Sequence, residues 1–302
     1  LIGFADAYIK LDPDVIIVLG DRFEVLAACI AALYAKIPIG HISGGEKTTG
    51  AFDEAIRHSI TKMSWWHFVA AAEYAKRVIQ LGENPKRVFN VGGLGVDAIK
   101  KARLLTKREV MKNTGIQFTN RNLLVTYHPT TLESESSKLS FQALLDVLNE
   151  FNDVYLIFTM PNADSDSRII IQMINEFVSK NKETSIAFTS MGQLNYLSTL
   201  QFVDGVLGNS SSGLAEVPTF KIGTINIGDR QKGRLKAESV IDCKTTKTSI
   251  RNSIKKLFSN EFKKNLHSVE NPYGEGKASQ KIIKYLKTLK LPKVLKKEFY
   301  DL

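Results

Sequence analysis

Residues 14–20 read DVIIVLG, a run of β-branched and aliphatic side chains that ends in glycine. A strand that is apolar on both faces is typical of a parallel sheet covered by helices on both sides. Charged side chains, Asp21, Arg22 and Glu24, follow the glycine directly. The stretch therefore predicts a buried parallel strand whose carboxyl end opens on polar groups.

The same alternation of apolar runs and helical periodicity continues along the chain. Strands are predicted at residues 14–20, 37–42, 67–71, 87–91, 122–127, 154–159, 185–188, 205–208 and 222–227. Helices are predicted at residues 23–36, 53–63, 73–80, 94–102, 139–151, 165–180, 193–202 and 213–217. This short spacing is typical of doubly wound α/β folds. Residues 103–122 are polar and mixed, which predicts a linker between two such sets.

The predicted fold class is therefore α/β, with two Rossmann-like doubly wound domains in series. Residues 1–103 form the first domain and residues 104–275 the second. Residues 276–302 form a C-terminal helix and a basic tail that packs back toward the first domain. Polar strand ends in both domains predict a ligand held between them. The chain starts with LIGFADAYIKLDP, which indicates a helix already under way. We expect an earlier segment of the first domain to be missing.

The overall composition argues against several classes of protein. The 302 residues are 43% apolar and 24% charged, and no apolar run approaches the roughly 18–20 residues that a membrane helix needs. Cys29 and Cys243 lie in apolar surroundings, which predicts reduced core thiols in a cytoplasmic protein without a signal peptide. The five histidines are scattered and no Cys-x-x-Cys occurs, so neither a metal nor another cofactor is predicted.

The net charge of +10 is concentrated at the C-terminus. From Lys244 onward there are 15 Lys and Arg against 5 Asp and Glu, whereas the first 243 residues hold 26 of each. Lysines recur at helical spacing with Ile and Leu between them, which predicts an amphipathic helix at residues 278–289. Residues 291–302 are predicted to end the chain as a basic surface strand or coil. Basic and aromatic residues do not alternate, so no nucleic-acid partner is expected.

Residues 41–58, HISGGEKTTGAFDEAIRH, form the densest polar stretch, and they lie between a predicted strand and a predicted helix. Parallel α/β proteins build sites at such junctions. The stretch contains three carboxylates and three cationic or titratable partners, namely Glu46, Asp53, Glu54, His41, Arg57 and His58. A solvated loop before an N-capped helix is the alternative interpretation.

A second polar stretch, GNSSSGLAE at residues 208–216, also lies between a strand and a helix. Glycine and serine at a helix start present backbone N–H groups that suit phosphate, although plain N-capping by serine explains part of the pattern. Glu216, one turn into the helix, could accept from ribose hydroxyls. Arg230, in INIGDRQKGR, could bind phosphate through two N–H groups or be a surface charge. His128, after the strand in VTYHP, could be a ligand or a hydrogen-bonded loop residue.

Taken together, VLGDRFE, HISGGEKTTGAFDEAIRHSITKMS, RVIQLGE, VTYHPTT, GNSSSGLAEVP and INIGDRQKGR resemble the UDP-N-acetylglucosamine 2-epimerase family. They resemble more closely its hydrolysing branch, which makes N-acetylmannosamine for bacterial sialic acid synthesis. The resemblance runs in order from about residue 14 to residue 273. It implies the GT-B fold, in which two Rossmann-like domains face each other across a cleft. The family begins with a strand and a phosphate loop that are absent here, so one edge or face of the first sheet is expected to be open. A true fragment of this kind is expected to be nearly inactive.

The resemblance also implies a division of roles. The second domain would hold UDP through His128, Ser210, Ser211, Glu216 and Arg230, with Asn162 as a weaker addition. The first domain would supply the chemistry through Asp21, Glu46 and Asp53, with Arg22 and His41 binding nearby and Glu54 as the alternative to Asp53. The pair Gly44–Gly45 would let the backbone approach the sugar. Family members are often dimers or tetramers, so a homo-oligomer is expected.

The family reaction explains why carboxylates are needed. A base removes the proton at C2 of the sugar, UDP leaves from C1, and water adds to the resulting 2-acetamidoglucal with inversion at C2. Clustered carboxylates raise one another's pKa, which suits one as base and one as acid, and the sequence leaves their order open. Three alternatives also stay open: a UDP-2,4-diacetamido-2,4,6-trideoxyglucose substrate, a non-hydrolysing epimerase, and a catalytically silent nucleotide-sugar-binding protein.

Overall fold

The computed structural model describes residues 1–48, 52–129, 134–161 and 167–302. Its helices are α1 (Ile2–Leu11), α2 (Phe23–Tyr34), α3 (Asp53–Met63), α4 (Ala72–Gln80), α5 (Leu94–Lys101), α6 (Lys107–Thr114), α7 (Ser134–Leu148), α8 (Ser167–Lys180), α9 (Gly192–Thr199), α10 (Ser212–Ala215), α11 (Lys247–Phe258), α12 (Asn260–Asn265) and α13 (Ala278–Thr288). Short 3₁₀ turns lie at Pro85–Arg87, Val217–Phe220 and Leu266–Ser268. The strands are β1 (Ile16–Leu19), β2 (Ile39–Ile42), β3 (Trp66–Val69), β4 (Val88–Asn90), β5 (Asn122–Thr126), β6 (Tyr155–Thr159), β7 (Ser185–Phe188), β8 (Gly205–Gly208), β9 (Gly223–Ile227) and β10 (Val240–Cys243).

These elements fall into two compact units. Unit 1 contains Leu1–Thr48, Phe52–Asp97 and Tyr273–Leu302, so the C-terminal helix and tail belong to it. Unit 2 contains the described residues of Ala98–Pro272. Each unit has its own parallel sheet and its own apolar cores. The predicted α/β class with two parallel sheets is confirmed.

The sheet of unit 1 has four parallel strands in the order β1-β2-β3-β4. One face packs against α2 and α3 through Cys29 and Ile60, and the other packs against α13 through Phe68 and Ile282. Ile17 and Leu19 of the edge strand β1 are 40% and 55% exposed. The prediction that helices cover both faces of this strand is therefore wrong for the part of the chain that the structure describes.

The sheet of unit 2 has six parallel strands in the order β10-β9-β8-β5-β6-β7. Within this sheet the chain enters at β5, continues outward through β6 to β7, and then returns to β8 on the other side of β5. Alternate residues of β5 enter opposite cores, since Leu123 and Val125 face one cluster and Leu124 faces the other. This is the doubly wound order, and its reversal between β5 and β8 is where such sheets bind ligands at the carboxyl strand ends.

Three parts of the chain differ from the sequence-based expectation. The supposed linker at residues 103–122 contains α6, which starts with a Thr106–Glu109 capping box and buries only Val110. One buried residue leaves almost no apolar periodicity to detect. The strand β10 and the helix α11 were not predicted, because β10 is only four residues long and its Asp242 is exposed.

The described residues contain no helix that is both long enough and apolar enough to cross a bilayer. Cys29 and Cys243 are buried free thiols, as the sequence predicted. Burial raises the pKa of the Cys29 thiol to about 12. The thiol therefore stays protonated and behaves as a small apolar side chain in the core.

Candidate active site

An ion pair lies at the carboxyl end of β1. Asp21 follows β1 directly, and its Oδ2 accepts from Nη2 of Arg57 in α3. Arg57 is 3% exposed and also donates from Nη1 to Thr48 Oγ1 at 3.1 Å. A buried guanidinium needs a charged partner, because an uncompensated buried charge is strongly destabilising. The pair therefore ties the strand end that carries Asp21 to the middle of α3.

His41 is bonded to the residue that precedes Asp21. Its side chain is fully buried, with Nε2 2.9 Å from the Gly20 carbonyl oxygen and Nδ1 3.2 Å from Thr61 Oγ1. Burial lowers the pKa of His41 to about 4, so the ring is neutral near pH 7. A neutral ring that donates from Nε2 to Gly20 accepts at Nδ1 from the Thr61 hydroxyl. In this structure His41 supports the backbone beside Asp21, with both ring nitrogens engaged inside the unit.

The acidic residues of α3 differ in their surroundings. Glu54 accepts from the Thr48 amide at 2.5 Å through Oε2, and its Oε1 lies 3.2 Å from His58 Nε2. Its Oε2 thus orders the segment before α3, and its Oε1 is engaged by a side chain one turn along α3. Asp53 is the first residue of α3 and is partly exposed, as is Glu46 after β2. Of the two adjacent acids, Asp53 is the one better placed to act on a substrate.

Two neighbouring features have partners inside the unit. The glycines at 44 and 45 are required by packing, since a side chain at Gly45 would collide with the Tyr74 carbonyl and one at Gly44 would press on His41. The Gly45 carbonyl also accepts from Arg77, and the approach of this backbone to a sugar stays a prediction. Arg22 is 60% exposed and pairs with Glu24 at 2.7 Å.

A second polar cluster lies at the switch point of unit 2. The strands β5, β8 and β9 are neighbours there, and their carboxyl ends lead to His128, Asn209 and Arg230 respectively. Gly208 ends β8 with φ of 134°, and any side chain on it would collide with the Thr126 backbone. Only glycine lets the two strand ends approach this closely.

Asn209 connects these three strand ends. Its Oδ1 accepts from the His128 amide at 2.7 Å, and its Nδ2 donates to the His128 carbonyl at 2.8 Å. Its own carbonyl accepts from Arg230 Nη1 at 3.0 Å and from Gln231 Nε2 at 2.8 Å. Asn209 is 1% exposed. A buried amide with all these partners fixes the positions of His128 and Arg230 relative to each other.

The charges in this cluster favour an anion. Burial, together with the nearby Arg230 cation, lowers the pKa of His128 to about 4. His128 is therefore neutral near pH 7, and the arginine provides the positive charge. Within the part of the chain that the structure describes, the amides of Ser210 and Ser211 donate to no protein acceptor. Unused amides beside an arginine form a site suited to phosphate oxygens.

The serine loop leads into a helix that is shorter than expected. The helix α10 spans four residues and is followed by a 3₁₀ turn, so its dipole contributes little to anion binding. Ser212 Oγ donates to the Glu216 carboxylate and lies 2.7 Å from the Tyr196 hydroxyl. Burial raises the pKa of Tyr196, so its hydroxyl stays protonated and donates to Ser212. Two hydroxyls in series, those of Tyr196 and Ser212, thus orient the carboxylate of Glu216.

The structure brings the sequence-predicted residues into two groups. Asp21, Glu46, Asp53, Arg22 and His41 lie at or near the carboxyl strand ends of unit 1, and His128, Ser210, Ser211, Glu216 and Arg230 lie at those of unit 2. Asn162 lies outside the described residues. The described side chains contain no group of three His, Cys, Asp or Glu arranged as metal ligands.

Sequence reasoning named Arg57 as a polar partner without assigning it a role, and it did not consider Asn209 and Tyr196. Arg57 had a signal, because an arginine on the same helical face as Ile60 is expected to be buried and paired. The sequence signal for Asn209 is weaker: an asparagine directly after a strand-ending glycine could order a loop through its amide. Tyr196 had none, because it meets Ser212 only through the fold, sixteen residues away in sequence.

Comparison with known proteins agrees with this geometry. Residues 1–287 match the profile of the UDP-N-acetylglucosamine 2-epimerase family. The GDP/UDP-N,N'-diacetylbacillosamine 2-epimerase (hydrolyzing) of Campylobacter jejuni is 42% identical over 99% of this chain and 78% of its own length. The polysialic acid biosynthesis protein P7 of Escherichia coli is 40% identical over 99% of this chain and 76% of its own length.

A solved structure shows the same fold. The UDP-GlcNAc 2-epimerase of Neisseria meningitidis, crystallised with UDP-GlcNAc bound, superposes with a TM-score of 0.82 at 22% identity, covering 95% of this chain and 80% of that one. At that identity the likeness concerns the fold, whereas the profile match spans nearly the whole chain. The chain is a member of the UDP-N-acetylglucosamine 2-epimerase family.

Proposed function

We propose that this protein is a hydrolysing UDP-sugar 2-epimerase, in which unit 2 holds UDP and unit 1 transfers protons. One observation carries the proposal. At the strand ends that Asn209 holds together, Arg230 lies near the amides of Ser210 and Ser211, which donate to no protein acceptor among the described residues. A diphosphate fits this arrangement because N–H donors and one guanidinium can bind its oxygens without a metal ion. Glu216 accepts from the ribose hydroxyls.

The acids of unit 1 fit the proton transfers that the reaction needs. Asp21 forms an ion pair with the buried Arg57, which holds its side chain at the carboxyl end of β1. Asp53 and Glu46 are partly exposed and can exchange a proton with a substrate or with solvent. One of them removes the C2 proton, and another returns a proton to the opposite face after UDP has left. Neutral His41 fixes the backbone of Gly20 beside Asp21.

Two sugars fit this proposal. The leading one is UDP-N-acetylglucosamine, which would give N-acetylmannosamine for sialic acid synthesis, and the 40% identical relative named for polysialic acid biosynthesis supports it. The other is UDP-2,4-diacetamido-2,4,6-trideoxyglucose, also called UDP-N,N'-diacetylbacillosamine, which the name of the 42% identical relative supports. Both carry the 2-acetamido group whose C2 is inverted, so the same acids serve either substrate.

The proposal is tested by incubating the protein with each UDP-sugar in D₂O and identifying the products by mass. We expect UDP release together with a free sugar inverted at C2 that contains one deuterium on carbon. A nucleotide sugar that keeps its UDP while gaining deuterium would indicate a non-hydrolysing epimerase. Tight UDP binding without deuterium incorporation from either sugar would indicate a silent binding protein and overturn the proposal.

A further inference from the structure

A buried carboxylate lies at the edge of unit 1 opposite the candidate acids. Glu83 is 0% exposed and accepts from Lys62 Nζ at 2.7 Å, His67 Nε2 at 3.0 Å and Lys297 Nζ at 2.6 Å. Burial works to raise the pKa of Glu83, but hydrogen bonds from these three side chains lower it to about 2. His67 is at the start of β3, so the cluster is at the amino ends of the strands. The proposed reaction uses none of these groups.

Lys297 completes this cluster from the C-terminal tail. Besides Glu83, its Nζ donates to the carbonyl oxygens of Lys62 at 2.7 Å and Ser64 at 2.8 Å. An ammonium has three protons, and here each of them has an acceptor. Residues 291–302 are an irregular, mostly exposed segment, as the sequence predicted, but the Lys297 side chain is only 17% exposed.

The two carbonyls that Lys297 binds are those at the C-terminal end of α3. The last carbonyls of a helix have no partners within the helix and carry its negative dipole, so a lysine there stabilises the helix end. Lys62 of α3 reaches back to the same carboxylate and also donates to the Leu81 carbonyl at 2.9 Å. The end of α3 is therefore fixed by Lys297 and Glu83 together.

The other end of α3 carries the candidate chemistry. Its first turn contains Asp53 and Glu54, and Arg57, one turn further on, pairs with Asp21. A helix of this length is about 16 Å long and moves as a rigid rod. A shift at its C-terminal end is therefore transmitted to the acids at its N-terminal end.

Two further contacts hold the tail in place. The Tyr300 amide donates to the Gly82 carbonyl at 2.9 Å, and the Phe299 ring covers Gly82 so closely that a side chain there would collide with it. Lys62 Nζ also lies 5.1 Å from the centre of that ring. Residues 290–302 form no helix or strand, so these side-chain contacts are what orders them.

We propose that residues 290–302 form a strap that fixes α3 from the opposite edge of the sheet, with Lys297 as a positioning residue for the proton-transfer groups. The expected effect on kcat rests on the proposed function, whereas the expected effect on the position of α3 does not. Lys297 touches no substrate and acts through α3 alone.

The test compares the full chain with its Lys297→Met variant by hydrogen exchange and by steady-state kinetics. Methionine keeps the length of the side chain but removes its charge and its donors. We expect amide exchange in α3 to accelerate about tenfold and kcat to fall about ten- to a hundredfold, since small misplacements of catalytic groups have effects of this size. The dissociation constant for UDP should change less than twofold. Lys296→Met is the matched control, because Lys296 is adjacent and exposed, and it should behave as the unaltered protein.

A double variant separates positioning from plain stability. Lys297→Met leaves Glu83 with one fewer partner, whereas adding Glu83→Gln removes the buried negative charge and should restore the urea midpoint. If Lys297 positions α3, the double variant keeps fast α3 exchange and low kcat despite its recovered stability. Recovery of kcat together with stability would overturn the positioning role. If the unaltered protein releases no UDP from either sugar, the proposed function fails, and α3 exchange still decides whether the strap exists. Unchanged α3 exchange in Lys297→Met would overturn it.

Discussion

The two candidate sites of this protein are built on different kinds of bond. In unit 1 the central contact is a charged pair, in which the buried Arg57 is held by Asp21. In unit 2 the central contact is the neutral amide of Asn209, bonded to the backbone of His128. Both lie at carboxyl ends of parallel strands, and both adjoin a buried neutral histidine.

Under the proposed function, this difference matches the role of each site. A proton-transfer site needs carboxylates that stay close to each other, and a guanidinium offsets their repulsion. A diphosphate site receives its negative charge from the ligand, so a neutral scaffold keeps protein carboxylates from competing for the arginine. Substitutions in unit 1 should therefore change turnover, and those in unit 2 should change UDP affinity.

The largest effect is expected from Asp21→Asn. It removes a carboxylate from the acid cluster and leaves Arg57 buried without its charged partner, so kcat should fall about 10²- to 10⁴-fold. The dissociation constant for UDP, measured by calorimetry, should stay within twofold. Asp14→Asn is the matched control, since Asp14 is exposed at the other end of the same strand region. Normal turnover by Asp21→Asn would remove Asp21 from the chemistry.

Acid should weaken both units, and the buried histidines His41 and His128 should contribute similar amounts. The pKa of His41 in the folded protein is about 4, against an ordinary value of 6.5, so the unfolded chain binds more protons between these values. Stability is therefore lost as pH falls through this window, by about 2 kcal/mol at pH 5. His128 has a pKa of about 4 as well, so unit 2 should lose a similar amount.

The losses of stability are measured from urea midpoints at pH 7 and pH 5, and hydrogen exchange in the core strands then assigns them to each unit. His41→Gln should reduce the pH dependence of unit 1, in which burial also lowers the pKa of His67, and leave that of unit 2 unchanged. His58→Gln serves as the control, because His58 is a quarter exposed. An undiminished pH dependence of unit 1 in His41→Gln would show that other groups cause it.

The sequence predicted the local part of both sites and missed the contacts that cross the fold. Asp21, Ser210 and Arg230 lie shortly after strands, and strand ends can be predicted from apolar runs. The Arg57–Asp21 pair joins residues 36 apart, and the Tyr196–Ser212 contact depends on how α9 packs beside α10. Lys297 was read as a surface charge because nothing in a basic tail indicates which lysine finds a buried carboxylate. Long-range partners of this kind depend on tertiary packing, which periodicity does not encode.

A smaller effect is expected from Asn209→Ala. The change removes both side-chain bonds to His128 and leaves buried backbone groups without partners, which should weaken UDP binding about tenfold. Because unit 1 is untouched, kcat at saturating substrate should stay within twofold. Asn152→Ala is the control, since Asn152 is exposed in the same unit. A large fall in kcat with unchanged UDP affinity would reverse the roles assigned to the two units.

The smallest effect is expected from Tyr196→Phe, which tests the hydrogen bonds that hold Glu216. The substitution keeps the buried ring and removes only the hydroxyl that donates to Ser212, so Glu216 loses the outer member of its relay. One neutral hydrogen bond is worth about 1 kcal/mol or less, so UDP should bind about two- to fivefold more weakly. If Glu216 accepts from the ribose, the loss should vanish for 2′,3′-dideoxy-UDP, which offers no hydroxyl. An equal loss for both nucleotides would mean that Tyr196 acts on the loop as a whole and that Glu216 does not contact the ribose.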